Sequence, residues 1–267
     1  MKFADYINDL IKHGKCSFTL EHAQKTLEKS RKAILSSIEH LLAREELASP
    51  ARGFYVIVSP EYQKLKCIPA EHFIPYLMEY LNLRYYVSLL TAAVYHGASH
   101  QAVQVFQVMI EKPRHPIVCG KVKINFIANK HLAETPIQMI GNAKSILTVS
   151  TPEGTAMDLL KYHNQSGGFN HIATVVAELS NVINPKKLVI LLNKNKHENT
   201  WKQRLGYLFD VVQANELATL IKKYLDKQKR VDYIYMSPIG ISGKKSKGYT
   251  KNEKWKIIEN IKIESDL

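Results

Sequence analysis

Cysteines and long apolar runs are both scarce in this chain, and each scarcity excludes a class of protein. The three cysteines, Cys16, Cys67 and Cys119, are isolated and odd in number among 267 residues. This spacing excludes a disulfide framework and a Cys-x-x-Cys metal site, and it predicts a reducing, cytoplasmic environment. No apolar run approaches the roughly twenty residues that a membrane span needs. Asp5 and Asp9 interrupt the N-terminal apolar residues, so we expect no signal peptide.

The motifs of common catalytic sites are missing too. No acidic residue has Lys two positions later, as the commonest nuclease core requires, and no Asp-x-Asp pair is available for magnesium. A Gly-x-x-x-x-Gly-Lys-Ser/Thr phosphate loop and a Gly-x-Ser-x-Gly elbow are absent as well. His96 and His100 have a zinc-compatible spacing, but Gly97 interrupts the helix between them, so we predict two surface histidines. Asp158 near a helix start is predicted to cap or to bond within the core. We therefore predict no enzymatic activity, no metal and no cofactor.

Positive charge, by contrast, is abundant and unevenly distributed. The chain has 37 basic and 24 acidic side chains, a formal net charge of +13, and a pI near 9.5. Residues 1–60 carry a net charge of only +2, whereas residues 182–267 carry +9. Such an excess favours an anionic partner such as the phosphates of nucleic acid, although a basic protein without such a partner is the alternative.

The first sixty residues have the pattern of a winged helix-turn-helix. Apolar residues at helical spacing predict a first helix over Phe3–Ile11, and Thr19 caps a second one. Ser30 caps a third helix, predicted over Arg31–Arg44, and residues 47–58 form two apolar runs around a Pro/Gly turn, as a β-hairpin wing needs. In this motif the third helix enters the major groove of DNA.

Short hydroxyls and cations on the third helix, opposite its apolar side, make it the candidate reader of DNA sequence. Such side chains can reach base edges and phosphates, whereas the alternative is an ordinary solvated helix face. The candidate DNA-binding residues of this region are Thr19, Ser30, Arg31, Lys32, Ser36, Ser37, His40, Arg52 and Tyr55.

A second basic region lies in the C-terminal third. Cations at the end of a predicted helix are followed by a Gly/Ser-flanked loop, and we predict that the loop contacts DNA phosphates. The alternative is that the helix-end cations offset the helix dipole and the loop is solvated. The helix-end residues are Lys222, Lys223, Lys227, Lys229 and Arg230, and the loop residues are Lys244, Lys245 and Lys247.

Length and composition predict more than one domain. Pro60 to Pro69 reads as a connection, which gives a DNA-binding domain over 1–62, a linker over 63–75 and a C-terminal α/β domain over 76–267. We predict strands over 104–110, 121–127, 137–140 and 146–149, mainly helices from 152 to 229, and strands over 233–236 and 255–263. The expected fold class is mixed α/β: a winged helix-turn-helix followed by a larger domain with a small sheet and a helical bundle.

One aromatic cluster allows two interpretations. Tyr76, Tyr80, Tyr85, Tyr86 and Tyr95 lie within twenty residues, partly at helical spacing. We predict that they pack in the core and between domains. The alternative is that they line a pocket for a small molecule.

Further segments, taken in order after the winged helix-turn-helix, carry a resemblance over nearly the whole chain. They are Tyr86–Gly97, Leu147–Leu160, Gly167-Gly168-Phe169, Arg204–Leu208 and Lys254–Asn260. Their order resembles the AbiEi family, the antitoxins of type IV toxin–antitoxin systems. In the second segment this chain has Gly154 where the family is expected to have Arg, so no role of that Arg is carried over.

The resemblance implies a cytoplasmic prokaryotic repressor that binds double-stranded DNA, the operator of its own operon. It also implies a functional pairing with a nucleotidyltransferase-like toxin, which the antitoxin opposes without a stable complex. Two alternatives stay open: a ligand-responsive winged-helix regulator, and a nucleic-acid-processing enzyme. A ligand-dependent change in operator affinity would distinguish the first, and the missing catalytic motifs disfavour the second.

Overall fold

The computed structural model describes residues 1–98, 103–141, 145–196, 198–238 and 248–263. The chain forms two compact units. Within the described residues, unit 1 comprises Met1–Val87, Val103–Leu132 and Gln138–Val149, and unit 2 comprises Ser88–Ala102, Ala133–Ile137 and Ser150–Leu267. Helices and strands are mixed in the chain, so the predicted α/β class is confirmed.

The N-terminal part of unit 1 has the element order expected of a winged helix-turn-helix. Its elements are α1 (Phe3–Lys12), β1 (Ser17–Thr19), α2 (Leu20–Leu27), α3 (Arg31–Ala43), β2 (Leu47–Ala51) and β3 (Phe54–Ile57). The three strands form an antiparallel sheet in the order β1-β3-β2. Apolar residues from all three helices pack against this sheet, among them Tyr6, Ala23 and Ile34. Helical periodicity thus buries one side of each helix and leaves its polar side exposed.

The rest of unit 1 is built on a second sheet. After a 3-10 turn over Pro60–Leu65 come α4 (Ala70–Tyr80), β4 (Tyr85–Val87), β5 (Phe106–Ile110), β6 (Ile117–Cys119), β7 (Val122–Ala128), β8 (Ile137–Gly141) and β9 (Ile146–Ser150). The strands are ordered β6-β7-β5-β4-β9-β8. β4 pairs antiparallel with β5 and parallel with β9, so this is a mixed sheet.

Unit 2 is mainly helical. Its elements are α5 (Leu89–Tyr95), α6 (Pro152–Lys161), α7 (Gly168–Ser180), α8 (Pro185–Lys194), α9 (Thr200–Val211), α10 (Asn215–Leu225), β10 (Ile234–Tyr235), β11 (Thr250–Asn252) and β12 (Ile257–Glu259). The start of α6 is as predicted: Pro152 takes the first position and the Thr151 hydroxyl accepts a hydrogen bond from the Gly154 N–H at 3.3 Å. The three short strands pair in the order β10-β12-β11.

Residues 63–75, predicted as a linker, are instead folded into unit 1. They contain the end of the 3-10 turn and the first turns of α4, and Cys67, Ile68, Phe73 and Ile74 are buried. Unit 1 also takes in most of the second sheet, which the sequence had assigned to the C-terminal domain. Proline spacing misled the prediction because a proline-bounded 3-10 turn looks like a connection in sequence.

Two further predictions differ from the structure. The C-terminal strand spans only Ile257–Glu259, because Trp255 lies in a turn where its N–H donates to the Asn252 side chain at 3.1 Å. On α4, Leu77 and Met78 are buried whereas Tyr76 and Tyr80 are exposed, so these two tyrosines do not belong to the core, although the Tyr80 ring packs on Phe54. Within the described residues, every helix is too short or too polar to cross a membrane.

Candidate nucleic-acid interface

Helix α3 is anchored by its apolar side and exposes its polar side. Ile34 and Ile38 are fully buried in the core of the N-terminal elements. The Ser30 hydroxyl caps the helix by accepting a hydrogen bond from the Ala33 N–H at 3.3 Å. The exposed candidates are Arg31, Lys32, Ser36 and His40. Half-buried Ser37 donates its hydroxyl hydrogen to the Ala33 carbonyl at 3.1 Å, so this group is already engaged inside the helix.

The turn between α2 and α3 is tight. Glu28 has a left-handed backbone with φ of 51°, which ends α2 and lets Ser30 begin α3 two residues later. At the start of α2, the half-buried Thr19 accepts a hydrogen bond from the His22 N–H at 3.1 Å. Thr19 therefore fixes the helix start, and its hydroxyl hydrogen remains available to an outside acceptor.

The tip of the β2–β3 wing is held on two sides. Gly53 has φ of 81°, and its carbonyl accepts a hydrogen bond from the Leu20 N–H at 2.9 Å. The Tyr80 hydroxyl donates to the Arg52 carbonyl at 2.8 Å. A Cβ at position 53 would lie 2.7 Å from that hydroxyl oxygen, so the contact requires glycine. The backbone of Arg52 is thus fixed while its side chain stays exposed.

Tyr55, predicted at the interface, belongs to the core. It is 7% exposed, and its ring stacks on Phe18 with centroids 5.4 Å apart. The two residues are register partners on β3 and β1, so they lie on the same side of the sheet. All four residues of β3 are buried because α4 packs against this sheet, which removes the solvated face that the prediction assumed. Burial raises the pKa of Tyr55, and the nearby positive charge of Arg31 opposes that rise.

Ion pairing separates the cations of unit 1 into two groups. Arg44 pairs with Glu46 and Lys66 pairs with Glu45, each at 2.6 Å. Among the described residues, no carboxylate pairs with Arg31, Lys32 or Arg52. The cations of the start of α3 and of the wing tip are thus among those without a carboxylate partner, and a phosphate could take that place.

Some cations of the basic C-terminal region of unit 2 are paired with carboxylates where the region is described, and others are not. Lys222 pairs with Asp226, Arg230 with Asp232 at 2.7 Å, Lys254 with Asp210 at 2.6 Å and Lys256 with Glu253 at 2.8 Å. Lys223, Lys227 and Lys229 are exposed. The predicted loop contacts Lys244, Lys245 and Lys247 lie outside the described residues.

The segments that prompted the resemblance form a buried polar network in unit 2. His96 is half-buried, with its Nε2 2.7 Å from the Ser150 carbonyl, and burial lowers its pKa. The Ser150 and Thr155 hydroxyls are 2.7 Å apart, and Asp158 accepts a long hydrogen bond from Thr135 at 3.4 Å. These contacts confirm core bonding for Asp158, and they correct the prediction of a surface position for His96; His100 lies outside the described residues.

Glycines in these segments mark close packing. A Cβ at Gly206 would lie 2.1 Å from the ring of Trp255, and the Trp255 Nε1 donates to Asp210 at 2.7 Å. A Cβ at Gly154 would lie 2.9 Å from the Pro136 carbonyl, so the backbone itself closes the position where the family was expected to have Arg. The Arg204–Leu208 segment and the Lys254–Asn260 segment thus pack against each other, through the contact between Gly206 and Trp255.

The described residues contain no group of three or more His, Cys, Asp or Glu side chains that could hold a metal ion.

The hydrogen bond between Tyr80 and the wing was not predicted from the sequence. Its signal was the spacing of Tyr76 and Tyr80, which follow Phe73 and Leu77 by three residues each and so lie beside the buried side of α4.

Three comparisons with known proteins complete this description. Residues 86–211 match the family described as AbiEi antitoxin C-terminal domain. No curated protein matches the chain. The fold is similar to that in the crystal structure of the RV2827C protein from Mycobacterium tuberculosis, with a TM-score of 0.66 at 13% identity over 96% of this chain and 90% of that one. At this identity the likeness concerns the fold alone.

Proposed function

We propose that this chain, whose residues 86–211 match the family described as AbiEi antitoxin C-terminal domain, is a type IV antitoxin that also represses its own operon. In this proposal α3 and the wing bind operator DNA. A nucleotidyltransferase-like toxin is opposed without a stable complex, and no catalytic step is assigned to the chain. The unpaired cations Arg31, Lys32 and Arg52 are the observation that carries the DNA-binding part.

The positions of these cations support a single interface. The charge of Arg31 acts on the hydroxyl of Tyr55, and so does Tyr80, whose own hydroxyl holds the Arg52 carbonyl. Helix α3 also packs against β2, the first strand of the wing, so the helix and the wing belong to the same part of unit 1. With α3 in the major groove, Ser36 and His40 would face base edges, while Arg52 would reach the backbone or the minor groove.

The toxin-opposing part is assigned to unit 2. Most of the matched residues lie there, and the polar groups that we described in them bond to one another rather than to solvent. Because unit 1 draws on three separate stretches of the chain, cutting between residues 62 and 63 would disrupt it. The two activities are therefore separated by point substitutions in the full chain and not by truncation.

The test uses the double variant Arg31→Ala/Lys32→Ala, with Lys223→Ala on α10 as the matched control for an exposed lysine. We expect the double variant to lose binding to the DNA upstream of its own coding sequence, measured by fluorescence anisotropy, while still rescuing cells that express the adjacent toxin gene. The control should keep both activities. Loss of rescue together with loss of DNA binding, in a variant that melts normally, would contradict this division of labour.

A further inference from the structure

A groove in unit 1 lies beside the wing and is lined by aromatic rings. Its volume is about 570 Å³, within the range of roughly 300–1,000 Å³ that is typical of small-molecule sites. The groove runs between α4 and the elements α1, β1 and α2, and apolar surface dominates its lining. Its five rings are those of Phe18, His22, Phe54, Tyr76 and Tyr80.

Two of these rings are left uncovered. Tyr76 is 41% exposed and Tyr80 is 38% exposed, whereas Phe18 and Phe54 are buried. The His22 ring is fixed by the Tyr6 hydroxyl, 2.8 Å from its Nδ1. A planar ring placed in the groove would therefore meet aromatic faces that are already held in position, the arrangement that favours stacking.

Charged groups of both signs line the same groove. Lys15 and Glu79 both border it, and among the described residues neither has an ion-pair partner. An ammonium group on a bound molecule would complement Glu79, and a carboxylate would complement Lys15. We propose that this groove binds a small aromatic molecule carrying both an ammonium and a carboxylate group, and that its binding raises the affinity of the protein for DNA through the wing.

The coupling passes through Tyr80. Its ring packs on Phe54 with centroids 5.5 Å apart, and its hydroxyl donates to the Arg52 carbonyl at the wing tip. A ligand stacked on the exposed part of this ring restricts Tyr80 to the orientation that makes the hydrogen bond, and so favours the fixed wing. By linkage, the ligand then binds more tightly to the DNA-bound protein. This regulatory step rests on the proposed DNA-binding function, whereas ligand binding itself does not.

Binding is tested first without DNA, by calorimetric titration of the full chain with L-tryptophan. Tyr76→Ala should weaken binding by about three- to tenfold, the worth of one lost stacking contact. Tyr249→Ala, at an exposure of 41% like that of Tyr76, is the matched control and should bind normally. Tryptamine and indole-3-acetate each lack one charge and should bind more weakly than tryptophan. Glu79→Gln should remove the advantage of tryptophan over indole-3-acetate.

The coupling is tested next, by measuring operator affinity with and without saturating tryptophan. We expect an increase of about fivefold, at the low end of typical coupling between sites. Tyr80→Phe keeps the ring and removes the hydroxyl, so it should still bind tryptophan but lose the increase.

The outcomes separate this inference from the proposed function. Tryptophan binding without any operator binding would contradict the proposed DNA-binding function and would still support the ligand site. Operator binding with no tryptophan binding would overturn the ligand site. A Tyr76→Ala protein with an altered sedimentation mass would overturn it too, because the groove would then be an interface between two copies of the chain.

Discussion

The polar residues of α3 and the polar residues of unit 2 differ in what surrounds them. Arg31 and Lys32 project from a helix whose other side is buried, and no described carboxylate pairs with them. Asp158 and Thr155, in contrast, are fully buried and engaged with neighbouring side chains. The first set is therefore free to serve a partner at little cost to folding, whereas the second set holds its own unit together.

A similar contrast separates cations of the same charge. Net charge places the basic excess in residues 182–267, yet Lys222, Arg230, Lys254 and Lys256 each have a carboxylate partner. The N-terminal elements have a smaller net charge but expose cations without partners. Exposed cations without a carboxylate partner, such as Arg31 on α3 and Lys223 on α10, are therefore the places in either region where a phosphate would be attracted.

The largest effect is expected from Trp255→Ala in unit 2. Trp255 is 1% exposed, packs on Gly206 and donates to Asp210. Its removal leaves a large cavity and takes away one hydrogen bond of the Asp210 carboxylate, so we expect a loss of about 3–5 kcal/mol in the free energy of unfolding of unit 2. Urea denaturation followed by far-UV circular dichroism measures this loss. Operator affinity under native conditions should change little, and an unchanged urea midpoint would show that the contact between Gly206 and Trp255 is dispensable.

The next effect is on binding and not on stability. Arg31→Ala should weaken binding to the operator by about 1–3 kcal/mol and to random DNA by less, because a base-reading contact distinguishes sequences. Ser36→Ala should behave in the same way with a smaller loss. Their urea midpoints should stay at the wild-type value, since both side chains are exposed. Equal losses of binding free energy on operator and random DNA would mean that α3 contacts only the phosphates.

Local patterns in the sequence were enough to predict the elements on which these expectations rest. The caps Thr19 and Ser30 and the apolar spacing of α3 act within one or two helical turns, so the start of that helix was predicted correctly. Tyr55 and Tyr80 could not be placed in this way. Their surroundings depend on α4 packing against β1 and β3, a contact between segments far apart in the chain.

The domain boundary could not be predicted from the sequence, for a related reason. A sequence pattern records which residues are apolar but not which strands become neighbours. β4 comes before unit 2 begins, yet it pairs with β5 and β9, which follow the first part of unit 2. Only such pairing reveals that unit 1 is built from three stretches of the chain.

A third experiment tests whether cations of the C-terminal region also contact DNA. If the loop residues Lys244, Lys245 and Lys247 contact phosphates, their joint replacement by Ser should flatten the slope of log K against log salt by about 2–3 units. Sequence preference should stay intact, because phosphate contacts carry no base information. An unchanged slope would leave the excess of +9 over residues 182–267 without a role in DNA binding. Cellular RNA or an acidic partner would then be the better explanation.

The smallest effect is expected at the wing tip. Arg52 is one exposed cation on a backbone that Leu20 and Tyr80 hold in place, so Arg52→Ala removes a single contact and leaves the wing folded. We expect the salt slope to fall by about 0.9 units, with equal weakening on operator and random DNA. Arg44→Ala is the control, because Arg44 already pairs with Glu46 and should not affect the slope. An Arg52→Ala protein whose slope and affinity match the wild type would remove the wing tip from the interface, and α3 alone would then have to account for binding.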